Sequence, residues 1–269
     1  MSSTGARRLR LDLHVHTDRS DGKFPPEEVL RRAATNGIDV IALADHDLDP
    51  SLAFGPHEVD GHPIRLIAAA EVSGAHEGKE LHLLVYFRGA PPPEATAFLR
   101  GRVSARARRF DEAATRLGLT QRADGSAHAG EHALTRFHLA QALAESGKVR
   151  RPSDAWPHLG LDVVPIIDFE FVNAIRMARS WNAVTSWAHP SLADANRFTK
   201  TFAAAGLEGL EGARPGLDRP TRNGLKRLAK EHKLLITGGS DWHGWWPGNL
   251  GDYRFEDENS LRFLERLDG

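Results

Sequence analysis

Short apolar runs of strand length alternate with helical patterns along most of the chain, and this alternation constrains the fold most strongly. In LRLDLHVH, residues 9–16, apolar and polar residues alternate as they do in a β-strand. The helical pattern PPEEVLRRAATNG follows, with prolines and acidic residues at its start and Gly37 at its end. The next strand pattern is IDVIALADHD. Strands that alternate with helices predict a parallel sheet or a barrel, and a chain of 269 residues is long enough to form one as a single domain.

The alternation breaks between about Pro91 and Pro165. The stretch EATAFLRGRVSARARRFDEAATRLG has the pattern of one long Arg-rich helix. A second helix is predicted in LTRFHLAQALAESGK, with Thr135 as its N-cap and Gly147 as its stop. Strand patterns then resume in NAVTSWAHP, GLEGLEG and KLLITGGSDWH, separated by helical patterns at 168–180, 193–205 and 219–232. The sequence therefore predicts a helical insertion within an α/β domain.

Charge and composition exclude several other classes of protein. Lys and Arg number 35 against 36 Asp and Glu, so no overall field favours nucleic acid or an anionic membrane. The chain has no Cys, no apolar run of membrane-spanning length and no hydrophobic centre in MSSTGARRLR. We expect a soluble cytoplasmic protein with no membrane contact and no obligate protein partner.

Histidines and carboxylates recur where the apolar runs end. They are His14, His16, Asp45, His46, Asp47, Glu71, His189, Asp241 and His243. Since the carboxyl ends of parallel strands meet on one face of a barrel or sheet, we expect these side chains to lie together. His82 stands at the beginning of its run, so it joins them only if that strand is antiparallel or lies at the rim. One histidine after a strand is most often structural, but the repetition at successive strands favours a metal site.

The residue types indicate the chemistry of this site. Imidazoles and carboxylates without thiolates suit Mn, Zn or Fe and argue against a closed structural zinc site. A set of this size can hold more than one ion. Adjacent ions lower the pKa of a bridging water toward ~7 and stabilise both the attacking and the leaving oxygen. The site therefore predicts hydrolysis of phosphate esters.

Six motifs together resemble the PHP (polymerase and histidinol phosphatase) superfamily of metal-dependent phosphoesterases. They are DLHVHTDRSDG, ALADHD, AAEVSG, ELHLLVY, WAHP and GSDWH, in the family's order. The resemblance implies a distorted (β/α)7 barrel with three divalent ions, manganese first and zinc or iron as alternatives. The barrel domain would comprise residues 1–90 and 165–269, and the helical insertion at 91–164 would cover the active site.

The resemblance also implies the ligand set. The nine ligands would be His14, His16, Asp21, His46, Glu71, His82, His189, Asp241 and His243. Glu71 would bridge two ions, His14 and His16 would bind one metal, and Asp21 would bind its neighbour.

The insertion and LTRFHLAQALAESGKV resemble the branch that contains nucleoside 3′,5′-bisphosphate phosphatases and 5′-to-3′ exoribonucleases. The implied reaction removes the 3′-phosphate of a nucleoside bisphosphate or cleaves 5′ nucleotides from short RNA. A metal-bridging hydroxide would attack, and Asp241 or His243 would protonate the leaving oxygen. Arg136 and His138, at the start of a helix, are predicted to bind a substrate phosphate; otherwise Arg136 is a solvated residue and His138 a packing one.

Other functions remain open from the sequence alone. The same ions could serve an amidohydrolase, although the predicted anion-binding residues favour phosphate. The chain could also be a non-catalytic, metal-stabilised binding module, although all nine matching positions hold ligand-competent residues. Trp242, Trp245 and Trp246 flank the last motif and either stack on a base or, as we slightly favour, pack the rim.

Overall fold

The computed structural model describes residues 8–119, 132–245 and 248–269. Its strands are β1 (Leu11–Val15), β2 (Val40–Leu43), β3 (Gly55–Val59), β4 (His62–His76), β5 (Lys79–Tyr86), β6 (Val184–Trp187), β7 (Gly209–Ala213) and β8 (Leu235–Gly238). Its helices are α1 (Pro26–Thr35), α2 (Pro93–Arg116), α3 (Arg136–Glu145), α4 (Phe171–Ser180), α5 (Leu192–Ala205), α6 (Arg219–Glu231) and α7 (Glu258–Asp268). The fold is therefore mixed α/β. No helix among these residues is both long and apolar enough to cross a membrane.

The central sheet is mixed, so the expectation of a parallel sheet is only partly correct. Its order is β1-β2-β4-β5-β6-β7-β8, with β3 paired to β4. Strands β1, β2 and β4 run parallel, as do β6, β7 and β8, but β5 is antiparallel to both β4 and β6. The reason is the two-residue turn between β4 and β5, in which Glu77 and Gly78 have φ of 45° and 74°. Such a turn can join only antiparallel neighbours.

The helices follow the sequence patterns closely. In α3 the Thr135 side chain accepts a hydrogen bond from the Phe137 N–H, which confirms the predicted N-cap. Gly147, with φ of 72°, follows the end of this helix as predicted. Both α2 and α3 lie within residues 91–164. Strand β3 and helix α7 were not predicted.

The core lies on both sides of the sheet and fixes the strand ends that carry the polar residues. On one side, Leu13 and Leu84 pack with Phe263 of α7. On the other, Trp187 packs with Phe171 of α4 and Phe202 of α5, all buried. Rigid strands of this kind hold the side chains that follow them in defined positions.

Backbone hydrogen bonds bring the last motif beside the first. The Asp241 N–H donates to the carbonyl of His14 at 2.8 Å, and the His16 N–H donates to the carbonyl of Trp242 at 3.0 Å. Gly239 permits this approach, because a Cβ built there would lie 2.3 Å from the Cβ of His14. The GSDWH segment is thereby held against the end of β1.

Candidate metal centre

The structure brings all nine predicted ligand positions into one cluster. His14 lies in β1, Glu71 in β4 and His82 in β5. The other six follow strand ends: His16, Asp21, His46, His189, Asp241 and His243. The condition set for His82 is met, because β5 is antiparallel and pairs His82 with Ser73, two residues beyond Glu71.

Distances between donor atoms divide the cluster into three overlapping groups. Within each group the potential ligand atoms lie within 4.8 Å of one another. The first group is His14, His16 and Glu71, and the second is His46, Glu71 and His82. The third group is His16, Asp21, His46 and His243. His189 Nε2 lies 3.1 Å from Glu71 Oε1, and Asp241 Oδ1 lies 3.3 Å from His16 Nε2. Glu71 thus stands at the centre of the cluster.

Several of these atoms are buried without a hydrogen bond from any described residue. They are Asp21 Oδ1, His46 Nδ1 and Glu71 Oε2. Leaving such groups unsatisfied costs about 1–3 kcal/mol each, so their convergence needs a further partner. His46 Nδ1 and Glu71 Oε2 are only 2.9 Å apart. Nitrogen and oxygen donors in this arrangement fit divalent transition metals.

Burial and neighbouring charges set the protonation of the cluster. Burial opposes ionisation of Glu71, but the imidazoles of His46, His82 and His14 hold the pKa of its carboxyl well below the usual range. Burial, followed by the charge of His243, lowers the pKa of His16 to about 4. Burial opposes protonation of His82 and His243 too, but the carboxylates of Glu71 and Asp21 raise their pKa values to about 10 and about 9. Metal binds the ionised carboxylate and the neutral imidazole, so it would displace protons from these two rings.

Two of the candidate residues have strained backbones. His189 has φ of 35° and Asp241 has φ of 53°, a region that residues other than glycine rarely adopt. Both residues follow strand ends, where the chain turns sharply. Strain of this kind is typical of functional sites, where it directs a side chain toward its target.

Glu211 is a functional residue that sequence reasoning missed. It lies fully buried in β7. Its Oε1 is 3.0 Å from His14 Nδ1, and its Oε2 accepts the His189 N–H at 2.7 Å. A carboxylate can only accept, so His14 carries its proton on Nδ1 and directs the lone pair of Nε2 into the cluster. The only sequence signal was a charged residue within the strand pattern GLEGLEG.

Replacing Glu211 by glutamine should lower metal affinity by about 10–100-fold, the usual effect of losing such an orienting partner. The side-chain amide of glutamine would place an N–H opposite either His14 Nδ1–H or the His189 N–H, so one of these two hydrogen bonds would be lost. Metal retained after dialysis against graded chelator measures the effect. The control is Glu208→Gln, whose carboxylate pairs with Arg266 at 2.7 Å. Equal retention in both variants would contradict the orienting role.

Asp45 and Asp47 follow β2 but have partners of their own. Asp45 accepts hydrogen bonds from the Thr17 N–H and hydroxyl at 2.8 and 2.6 Å and from the Ser20 hydroxyl at 2.5 Å. Asp47 is bound by two arginines of α2. The first carboxylate therefore shapes the loop that carries Asp21, and the second anchors α2.

An open cleft of about 360 Å³, here called the aromatic cleft, adjoins the cluster. It is lined by Asp21, Phe137, Trp156, Arg214, Pro215, Ser240, Asp241, His243 and Trp245. Trp242 stacks on Phe24 with centroids 5.8 Å apart, so it packs the rim as expected. Trp245 instead remains 39% exposed in the cleft, and Trp246 lies outside the described residues.

Arg136 and His138 lie near the cluster but not among the residues that line this cleft. Arg136 Nη2 lies 3.6 Å from Glu80 Oε2, and its Nε and Nη2 are buried without a hydrogen bond from the described residues. His138 Nδ1 accepts the Thr135 N–H at 3.0 Å and so completes the cap of α3. Burial lowers the pKa of His138 to about 4. The phosphate-binding role of both residues stays a prediction.

Comparison with known proteins decides the family. The family model of the PHP domain matches residues 12–121 of this sequence. A 5′-3′ exoribonuclease of Haemophilus influenzae is 30% identical over 251 residues, covering 88% of this chain and 92% of the relative. The chain belongs to the PHP family. A 3′,5′-nucleoside bisphosphate phosphatase of Chromobacterium violaceum is 28% identical, covering 90% of this chain and 89% of the relative.

A solved structure shares the fold of this PHP protein. A Bifidobacterium adolescentis protein assigned to the metal-dependent phosphoesterases superposes with a TM-score of 0.77 at 24% identity, covering 95% of this chain and 96% of that one. The names of both sequence relatives describe hydrolysis of phosphate esters. The predicted family and enzyme class, a phosphoric ester hydrolase, are therefore confirmed. The PHP domain match and the His/Asp/Glu cluster together are consistent with a site for divalent metal.

Proposed function

We propose that this PHP protein hydrolyses phosphate esters of nucleotides, either the 3′-phosphate of nucleoside 3′,5′-bisphosphates or the 5′ nucleotides of short RNA. The observation that carries the proposal is the buried cluster of imidazoles and carboxylates that opens onto the aromatic cleft. Asp21, Asp241 and His243 belong to both. A phosphate bound at the cluster would thus leave the rest of a nucleotide beside aromatic side chains. The names of the two relatives agree with this substrate class.

The cluster has enough donors for three divalent ions, with manganese the first expectation and zinc or iron the alternatives. The proposed ligands are His14, His16, Asp21, His46, Glu71, His82, His189, Asp241 and His243. Glu71 is the proposed bridging ligand, because it is the carboxylate among the residues that belong to two of the three donor groups.

We also propose that the sheet closes as a distorted seven-stranded barrel of residues 1–90 and 165–269, with the insertion at 91–164 over the site. The hydrogen bonds between the end of β1 and the segment after β8 support closure. The Ala133 N–H donates to the carbonyl of Arg19 at 2.8 Å, which supports the position of the insertion. A cytoplasmic location and the lack of an obligate protein partner stay predictions.

When bound, the divalent ions would supply an activated water near neutral pH and neutralise charge on the phosphate oxygens. The chain itself positions the groups around the phosphate. His243 Nδ1 lies 2.8 Å from the carbonyl oxygen of Asp241 and donates to it, which places its Nε2 3.2 Å from Asp21 Oδ1. The Asp241 carboxylate, 37% exposed, faces the cleft. Both side chains line the cleft, so Asp241 or His243 is the proposed group that, when protonated, would deliver a proton to the leaving oxygen.

A substrate panel tests the proposal. Purified protein reconstituted with Mn²⁺ is assayed with nucleoside 3′,5′-bisphosphates, short 5′-phosphorylated RNA, histidinol phosphate and aryl amides. We expect the highest kcat/KM on a nucleotide substrate. Turnover of amides without phosphate esters would support an amidohydrolase instead, and no turnover of any substrate by metal-replete protein would support a binding module.

Replacing Arg136 by alanine should lower kcat/KM on a nucleoside bisphosphate by about 1.5–3 kcal/mol, or roughly 10–100-fold. Two of its guanidinium nitrogens form no hydrogen bond with the described residues, although Nη2 lies 3.6 Å from Glu80, and they are suited to the phosphate that is not hydrolysed. The loss on an aryl phosphate, which lacks that phosphate, should be smaller. Arg150→Ala, an exposed change in the same insertion, is the control. Equal losses on both substrates would show that Arg136 does not bind the second phosphate.

A further inference from the structure

We propose that the protein binds a single-stranded oligonucleotide along two adjoining clefts that meet at Arg214, so that nucleotides beyond the one at the metal centre contribute to binding. This inference rests on the proposed nucleotide phosphoesterase activity and extends it. A mononucleotide needs only the aromatic cleft, whereas an oligonucleotide would place later phosphates in the second one.

The aromatic cleft has the properties of a base-stacking site. Trp156 and Trp245 are 47% and 39% exposed, whereas tryptophan is highly buried on average. Trp245 Nε1 donates to the carbonyl of Asp21 at 2.6 Å, and its ring lies 4.9 Å from that of Phe137. Trp245 is thus fixed to the loop that carries a proposed metal ligand. A base stacked on it would have its phosphate within reach of the cluster.

A second cleft of about 230 Å³, here called the basic cleft, carries an excess of positive charge. It is lined by Arg8, Ala213, Arg214, Arg222, Lys226, Tyr253, Arg254, Phe255, Glu256 and Asp257. Five lining residues are basic and two are acidic. Such a groove suits the phosphates of a nucleic acid backbone.

Both carboxylates of the basic cleft have cationic neighbours. Glu256 Oε2 lies 3.9 Å from Arg10 Nε, outside the lining set, and Asp257 Oδ2 lies 3.6 Å from Lys226 Nζ. Arg222 and Arg254 instead donate to backbone carbonyls, those of Leu217 and Gly251. Neither arginine forms an ion pair with a described residue, and a neutral carbonyl does not compensate its charge, so these two side chains can still attract a phosphate.

Arg214 connects the two clefts, because it lines both. It directly follows β7, the strand of Glu211. Its Nε is buried and donates no hydrogen bond to any of the described residues. A guanidinium with an unsatisfied nitrogen between a base-stacking cleft and a basic cleft is placed to grip the phosphate that links two nucleotides.

Binding of a 5′-phosphorylated tetranucleotide with phosphorothioate linkages and a 3′ fluorescein tests the inference by fluorescence anisotropy on Mn²⁺-loaded protein. Arg214→Ala should raise Kd about 10-fold, the low end for loss of a hydrogen bond to a charged group. Trp156→Ala, a change at an exposed residue, should raise it at least about 5-fold through lost stacking. Arg222→Ala should reduce the slope of log Kd against log salt by about 0.7, as for one lost phosphate contact on a single strand.

The matched controls are Arg176→Ala, an exposed change on α4 outside both clefts, and Arg214→Lys, which keeps the charge and should keep the salt slope. Unchanged tetranucleotide binding in Arg214→Ala and Arg222→Ala would overturn the inference. So would an equal rise in Kd for a nucleoside bisphosphate in Arg222→Ala, which would mark the basic cleft as a small-anion site.

Activity separates this inference from the proposed function. If wild type hydrolyses nucleoside bisphosphates but its tetranucleotide binding does not depend on Arg214 and Arg222, binding along the two clefts is wrong and the proposed function stands. If wild type binds the tetranucleotide through these residues but hydrolyses no nucleotide, the proposed function is wrong and binding along the two clefts stands. With both correct, Arg214→Ala should lower kcat/KM more on an unmodified 5′-phosphorylated tetranucleotide than on an aryl phosphate.

Discussion

Replacing Glu71 by glutamine should remove at least one metal ion per chain and lower kcat/KM on any phosphate ester by at least about 100-fold. Loss of an outer partner alone typically costs 10–100-fold, and Glu71 is placed as a direct ligand. Its carboxylate oxygens lie 2.9 Å from His46 Nδ1 and 3.1 Å from both His82 Nδ1 and His189 Nε2. Glutamine keeps the shape but has one oxygen and a neutral amide, so it cannot bridge two cations.

Elemental analysis of protein purified without chelator and then made metal-replete measures the first effect, and steady-state kinetics the second. The control is Glu77→Gln, at the turn that ends β4, where the carboxylate is 47% exposed and pairs with Arg197. A wild-type content of one ion or fewer per chain would overturn the trinuclear centre. Full metal content in Glu71→Gln would overturn the bridging role.

The sequence predicted the elements whose patterns are local. The period of two in LRLDLHVH and the boundary residues of α1 depend only on neighbouring residues, and both elements formed as expected. The candidate ligands could be found because imidazoles and carboxylates stood where apolar runs ended. Even the orientation of β5 was open to reasoning, since His82 could join the cluster only from an antiparallel strand or from the rim.

Strand β3 was not predicted, although a local turn signal follows it in the sequence. Asp60 and Gly61 form the two-residue turn between β3 and β4, with φ of 51° and 77°. Asp-Gly is among the strongest sequence signals of a hairpin. The residues of β3 are exposed or half-buried and lack a clear apolar alternation, so their pattern does not predict a strand.

The contacts around the metal centre could not be predicted, because they depend on tertiary structure. Glu211 reaches His14 across 197 positions of sequence, and Arg106 reaches Asp47 across 59. Periodicity identifies which residues lie on a strand, but it does not pair a buried carboxylate with its partner. Trp245 was expected to pack, and its exposure follows from a hydrogen bond to the Asp21 carbonyl that no pattern indicates.

Helix α2 is anchored beside the metal centre by a buried ionic network. Arg106 Nε donates to Asp47 Oδ2 at 2.6 Å and its Nη2 to the Ser73 hydroxyl at 2.6 Å. Arg102 donates to the other Asp47 oxygen at 3.3 Å and to the Ser73 carbonyl at 2.8 Å. Asp47 follows His46, and Ser73 lies two residues beyond Glu71. The network therefore joins the insertion to the backbone that carries two proposed ligands.

Replacing Arg106 by methionine should destabilise the protein by about 3–5 kcal/mol, because among the described residues it leaves the buried Asp47 carboxylate with only Arg102 and the Ser73 N–H as partners, both on Oδ1. Burial opposes ionisation of Asp47, and Arg106 and Arg102 together hold its pKa below the usual range. For a chain of this size the loss corresponds to a decrease in Tm of roughly 6–20 °C. Calorimetry of the metal-loaded protein measures it.

Arg108→Met is the matched control, since Arg108 is exposed on the same helix and its replacement should change Tm by less than about 2 °C. The double variant Arg102→Met, Arg106→Met removes both cationic partners and should be less stable than Arg106→Met alone, because the buried Asp47 carboxylate is then left without a counter-charge. If Arg106→Met and Arg108→Met unfold at the same temperature, the network does not anchor α2. If the double variant is no less stable than Arg106→Met, lost packing by Arg106 explains the effect better than charge.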